Sequence, residues 1–487
     1  MREFSTQNKL ERVRAPRVEI AYDVETGGAI ERKELPFVMG VMADLSGRSE
    51  SPLAPLTDYR RKFIEIDWDN FSDVMKGMAP RLAYQVENKL NVGGREIGVE
   101  LRFACLDDFS PESVANQVDP LKKLVEVRTD LCALLAKTDG NDGLADKLQD
   151  ILHNSDLQQS IREGSVVASN TTASGKAGVN GNKEKQATTE AGAQEASVFD
   201  QILTQINIGK SEWDRDQSRR QISTLVDEAM QGKLRVSTDV EQTIDARIKD
   251  IDRALTDQLN AIMHAHDFQR LESAWRGLHY LVRQTESSSR IRIRVLNVSK
   301  GELLKDFERA VEFDQSALFR KVYEEEYGTF GGAPYGALIG DYEFGNQPQD
   351  VSLLEKISNV AAAAHAPFLA AASPTLLGLQ SFTELPHPRD LAKILATPEH
   401  ACWQSFRTSE DSRYVGLALP RILLRLPYGP ATNPVEAFNF MEEVSGGNQE
   451  HYLWGNAAYA LGSCLTNAFA KYSWCAAQYE AWRAEAV

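Results

Sequence analysis

The period of the apolar positions changes several times along the chain, and each change marks an element. Arg17–Tyr22 (RVEIAY) alternates with period two, as a half-buried strand does. Gly27–Gly28 supplies a turn, and Lys33–Met42 (KELPFVMGVM) predicts a second, more buried strand. Residues 1–16 ahead of them are polar and basic and read as a mobile arm. Ile97–Phe103 alternates again. Ser110 then stands where an N-cap belongs, with Pro111 at the first helical position. Leu121, Leu124, Val125, Arg128, Leu131 and Leu135 follow at steps of three and four, which predicts an amphipathic helix to about Lys137. A short helix over Leu144–Ile161 closes this region.

The second half is patterned differently. Ile244, Ile248, Ile251, Leu255, Leu259 and Ile262 form one continuous helical seam. His266–Val282 gives a second helix, with Phe268, Leu271, Trp275, Leu278 and Val282 facing inward. Ile291–Val298 (IRIRVLNV) alternates basic and apolar residues as a half-exposed strand. Val311–Tyr327 reads as a helix with Phe319, Tyr323 and Tyr327 on one face. Gly328–Gly336 is a glycine-rich turn, and Ala337–Ile339 a short buried strand ending in the acidic turn Gly340–Asp341. A helix is expected over Val351–Ala364, core strands or a strand–turn element at Val415–Leu419 and Ile422–Leu426, and a last helix with an aromatic entry over His451–Ala477.

Between the halves, Val166–Ser197 contains no aromatic residue, leucine or isoleucine, and is rich in Ala, Gly, Ser, Thr, Asn and Gln. Such a stretch buries too little apolar surface to offset its ordering entropy, so a flexible linker is expected. Val198–Ile208 resumes an apolar stripe of Phe199, Ile202, Leu203 and Ile206, with Ser197 as N-cap. This short amphipathic helix reads either as docked on its own domain or as an exposed peptide for a partner groove.

Composition narrows the function. At 487 residues, 42% hydrophobic and 25% charged, the chain holds more than one core. A net charge of −16 argues against a general phosphate-backbone binder. The five cysteines, Cys105, Cys132, Cys402, Cys464 and Cys475, are scattered and read as reduced thiols. No run reaches the ~18 apolar residues of a membrane span, and the N-terminus has no apolar signal core. The residues alone therefore predict an α/β (α+β mixed) assembly protein of two layered domains joined by a flexible linker.

Motifs that suggest chemistry have plainer readings. Gly328–Gly336 follows a helix and carries Pro334–Tyr335 where a phosphate loop needs Lys-Ser/Thr, so it reads as a structural turn. The two rings of His264-Ala265-His266 point about 200° apart on a helix and cannot chelate from one face. Together with His279 they read as helix-end and surface histidines. Glu324–Glu326 fans out around a helix as a solvated or partner-facing patch. Arg290, Arg292 and Arg294 are expected to pair with carboxylates of a neighbour rather than with nucleic acid. No cofactor, metal site or enzymatic constellation is expected, and no direct membrane insertion.

A resemblance sharpens this picture. The stretch "EFDQSALF.KVYEEEYG...G.PYGALIGDYEF" and the segment "PQDV.LLEKISNVAAAAHAPF.AAASP" resemble the large subunit of the contractile sheath of bacterial type VI secretion systems, the TssC/VipB family. The first 165 residues, through "V.I.Y......EKELPF.M.V..DLSG", resemble its small subunit, the TssB/VipA family. The organisation implied is a small-subunit-like domain over 1–165, a linker over 166–197 and a large-subunit-like region over 198–487, contractile-tail-sheath-like in fold. The family's C-terminal domain is expected to be missing. What the resemblance implies is a cytoplasmic structural subunit that polymerises around an inner tube and contracts to propel it. A truncated remnant that only binds sheath components is the alternative. Implied partners are other sheath subunits, the inner tube protein, the baseplate and the AAA+ disassembly ATPase (ClpV). That ATPase would recognise the helix bearing Phe199, Ile202, Leu203 and Ile206. Strand exchange between subunits would use Arg17, Val18, Glu19, Ile20, Ala21 and Tyr22.

Overall fold

A computed structural model describes residues 21–26, 29–34, 36–49, 53–90, 96–139, 142–155, 158–159, 212–234, 239–286, 290–328, 332–386, 390–444 and 449–472. Strands β1 (Ala21–Thr26) and β2 (Ala29–Glu34) form an antiparallel hairpin, in register from Ala21 opposite Glu34 to Thr26 opposite Ala29. The single strand expected over Lys33–Met42 is divided. Pro36 has no N–H to give a ladder, and β3 (Phe37–Ala43) begins just after it in a different sheet.

β3 occupies the centre of the main sheet. Its neighbours are β7 (Ile291–Asn297) on one side and β8 (Tyr335–Phe344) on the other, both parallel to it. β9 (Phe368–Ala372) and β10 (Val415–Ala418) extend the sheet beyond β8, and the three-residue β4 (Ile64–Ile66) closes the far edge antiparallel to β7. Every residue of β3, FVMGVMA, is buried, as in parallel strands covered on both faces. β8 runs straight through Gly340–Asp341, so the turn expected there is a strand interior instead. Phe368 packs against the position where a Gly340 side chain would stand.

Helices cover both faces. On one face Met39, Val41, Ile293, Val295, Ala337 and Ile339 pack into a core with helices α6 (Val240–Met263) and α7 (His266–Gln284) and with α12 (Ala457–Tyr472). On the other, Val38, Met42, Leu296, Leu338 and Phe368 meet α8 (Lys300–Arg309), α9 (Pro348–Ala363), the helical segment 317–327 and α11 (Ala401–Thr408), which follows the short α10 (Leu391–Leu395). The result is a helix–sheet–helix sandwich. The expectation of two layered domains is therefore corrected: strands from before and after the 166–197 stretch share one sheet. An alternating hairpin of β5 (Arg81–Glu87) and β6 (Glu96–Arg102) lies beside it. Helices α1 (Phe71–Met78), α2 (Pro111–Gln117), α3 (Asp119–Thr138), α4 (Asp142–His153) and α5 (Glu212–Met230) also join the first core.

Two helices begin later than their patterns suggest. The segment expected from Val311 starts at Ala317, where Ser316 caps the Phe319 N–H, and Val311 itself is exposed. Its middle, Arg320–Glu324, is a π-turn. The expected ring ladder is present: Phe319 stacks on Tyr323 at 5.0 Å and Tyr323 on Tyr327 at 4.7 Å. The last helix starts at Ala457, because Trp454–Gly455 pairs as a strand with Ile422–Leu423 and Asn456 caps the Ala458 N–H.

Candidate functional site

β7 and β8 follow one another in the second half of the chain yet do not touch in the sheet, since β3 lies between them. That slot is the principal feature of the molecule, and polar contacts lock its occupant. At the exit of β3 the Val298 N–H donates to Ala43 O at 2.8 Å, and the Leu45 N–H to Asn297 Oδ1 at 3.0 Å. The fully buried Trp275 gives its indole N–H to Leu45 O at 2.9 Å. Arg270 of α7 reaches Asp44 at 2.8 Å. Burial nevertheless pushes the Asp44 carboxyl above its ordinary range.

Arg61 is the strongest clamp. It is 8% exposed and donates to both oxygens of Glu302, at 2.7 and 2.8 Å, and to the carbonyls of Asn297 and Ala54. Ser299 and Glu302 form a capping box at the start of α8, so the carboxylate is fixed before Arg61 meets it. Burial works to raise the Glu302 carboxyl, but the hydrogen bonds from Arg61 and Ser299 hold it below its ordinary range. Farther out, Arg128 of α3 binds Asp252 of α6 and Ala437 O, and Lys137 binds Ser218 and Gln221 of α5. Each of these contacts joins the first half of the chain to the second.

A second buried network pins the segment 425–442. Arg425 lies between Glu272 and Glu442, at 2.8 and 2.6 Å. Burial opposes the Arg425 charge, and the two carboxylates overcome it and raise its pKa. For Glu442, burial is outweighed by the nearby His264, at 3.5 Å, and by hydrogen bonds from Arg425 and the Tyr428 N–H, and its pKa falls to about 2.

The expected chemical motifs are absorbed by structure. Arg294 pairs with Glu326 at 2.6 Å and Arg292 with Glu65 at 3.9 Å, so these arginines find carboxylates within their own chain rather than on a neighbour. Glu326, expected in a solvated patch, also accepts from the Ala333 N–H. Residues 332–334 of the glycine-rich turn lead into a strand, the reverse of the strand–loop–helix order of a phosphate loop. His264 is a helix-end residue as expected, at the C-cap of α6, and it stacks on His451 at 4.1 Å. Among the described residues no group of three or more His, Cys, Asp or Glu could hold a metal. Doubly wound sheets bind ligands beyond the C-terminal ends of their strands. Here those ends carry the Asp44, Asn297 and Arg61 contacts. Among the described residues, two open clefts flank β5 and β6, and several of their charges are engaged in pairs: Arg81 and Arg102 with Glu100, and Arg48 with Asp267.

Of the assembly residues expected from sequence, Ala21 and Tyr22 open strand β1. Arg17, Val18, Glu19 and Ile20 lie outside the described residues, as do Phe199, Ile202, Leu203 and Ile206. Sequence reasoning missed Arg61, Asn297 and Glu302. The one signal that could have found them is the Ser299-Lys-Gly-Glu302 capping box directly after a strand.

Comparison with known proteins agrees with this two-part construction. The family model described as "EvpB/VC_A0108, tail sheath N-terminal domain" matches residues 245–483, and "Type VI secretion system, VipA, VC_A0107 or Hcp2" matches residues 10–165. The type VI secretion system sheath protein TssC1 of Pseudomonas aeruginosa is 49% identical over 292 residues, which are 60% of this chain and 58% of that relative. TssB1 of the same organism is 46% identical over 157 residues, 32% of this chain and 90% of that relative. The chain thus spans little more than half the length of the TssC1 relative and nearly all of TssB1.

Proposed function

Because the chain belongs to the sheath family of the type VI secretion system, with TssB/VipA-like and TssC/VipB-like parts in one polypeptide, we propose that it is a structural subunit of a contractile sheath. In this reading copies polymerise around an inner tube and release stored contact energy by repacking into a tighter helix, which drives the tube outward. It works in the bacterial cytoplasm, beside a baseplate and an AAA+ disassembly ATPase of the ClpV type. The helix bearing Phe199, Ile202, Leu203 and Ile206 is the segment that the ATPase takes.

The observation that carries the reading is the joint: one sheet with β3 of the small-subunit part between β7 and β8 of the large-subunit part. A body this continuous transmits force between the two parts without a hinge at the sheet. The β1–β2 hairpin supports the strand-exchange role of Arg17–Tyr22. Among the described residues it pairs only with itself, and an isolated two-stranded hairpin is marginal in water without a further partner.

A pelleting assay tests this. The purified chain is expected to sediment as polymer, and replacing Tyr22 and Val24 with proline, which removes two N–H donors from β1, is expected to return it to the supernatant. Polymer formed equally by the proline variant would remove the hairpin from the mechanism. A wild-type chain that only decorates pre-formed sheath would support a sheath-binding remnant instead.

A further inference from the structure

We infer that the slot between β7 and β8 is filled by β3 of the same chain and is thereby closed to sheath strands supplied by any other chain. This inference concerns protomer composition and holds whether or not the polymer contracts. The slot accepts one strand of one kind. β3 meets β7 from Phe37 opposite Ile291 to Ala43 opposite Asn297, and it meets β8 on its other side. Its side chains belong to both cores at once, Met39 and Val41 to one and Val38 and Met42 to the other. A competing strand must therefore undo two ladders and two cores before it gains any contact.

The connection between the two parts favours the resident strand. Residues 154–211 join α4 to α5, and these two helices pack against each other. Lys137 of α3 also binds Ser218 and Gln221 of α5 at 2.9 and 2.8 Å. The two helices that the connection joins are therefore neighbours, and its composition over 166–197 is that of a linker. A tether of this kind presents its strand at about millimolar effective concentration. A separate small subunit at micromolar concentration competes at a disadvantage on the order of a thousandfold. Each protomer then carries the two parts in a fixed one-to-one ratio, and copies meet through surfaces other than this slot.

Cross-linking the full-length chain decides the matter. Asp44 and Arg270 touch across the joint, and their side chains are 26% and 55% exposed. In a background with all five native cysteines replaced by serine, the double variant Asp44→Cys/Arg270→Cys is treated with a short bis-maleimide. The expected product is a looped single chain. Two differently tagged copies, one with Asp44→Cys and one with Arg270→Cys, are expected to give no mixed dimer when co-expressed, beyond what either gives alone. The pair Arg48→Cys/Asp267→Cys, in contact at 3.1 Å, repeats the test at a second place. Mixed dimers in yields comparable to the looped chain would overturn the inference by showing exchange between copies. Absence of the looped product at both pairs would overturn it too.

Discussion

Single side chains decide how firmly the joint holds. Arg61→Ala removes the partner of a part-buried carboxylate and the donors to two carbonyls. The expected cost is about 2 kcal/mol, reduced from the fully buried case because Glu302 is 34% exposed, and a shift in the urea midpoint measures it. Arg60→Ala, next along the chain with a guanidinium 70% exposed in its pair with Asp58, is expected to leave the midpoint nearly unchanged. Glu442 makes stability depend on pH. Its folded pKa of about 2 lies below the ordinary 4.5, so its contribution is complete above pH 4.5 and is lost as the pH falls toward 2. The sum is on the order of 3 kcal/mol. Glu442→Gln should flatten the stability profile between pH 4.5 and 2, as followed by urea unfolding at a series of pH values. Asp341 acts with the opposite sign. Burial pushes its carboxyl up to about 6, so its contribution is present below pH 3.8 and is lost as the pH rises to 6.

At the scale of elements, most of the fold is legible because periodicity reports burial. The seam of α6, the inward residues of α7 and the Phe319–Tyr323–Tyr327 ladder follow directly from spacing. The apolar run PFVMGVM marks a strand buried on both faces but cannot say which strands flank it. Only the large-subunit strands β7 and β8 supply that answer, hundreds of residues away. The division at Pro36 and the strand through Gly340–Asp341 went unread for a related reason: tertiary pairing overrode local turn signals. Gly336 of β8 shows how closely the elements approach, because a Cβ there would lie 2.5 Å from the Phe37 ring, which stacks on Phe469 of α12. Gly336→Ala should displace that ring and cost about 1–3 kcal/mol, measured as a lower thermal midpoint.

At the scale of the whole molecule, the sequence divides where the fold does not. Composition separates 1–165 from 198–487, yet their strands complete a single sheet and Arg61, Arg128 and Lys137 tie them together. A protease site engineered into 166–197 should therefore yield two fragments that still elute together on gel filtration. They should also unfold in one transition. Two elution peaks would mean that the joint is weaker than its contacts imply. Self-assembly is the proposed role of the chain, and negative-stain electron microscopy of the purified full-length chain tests it most directly. Hollow tubes of regular diameter are the predicted result. A field of discrete particles at every salt and protein concentration tried would contradict it.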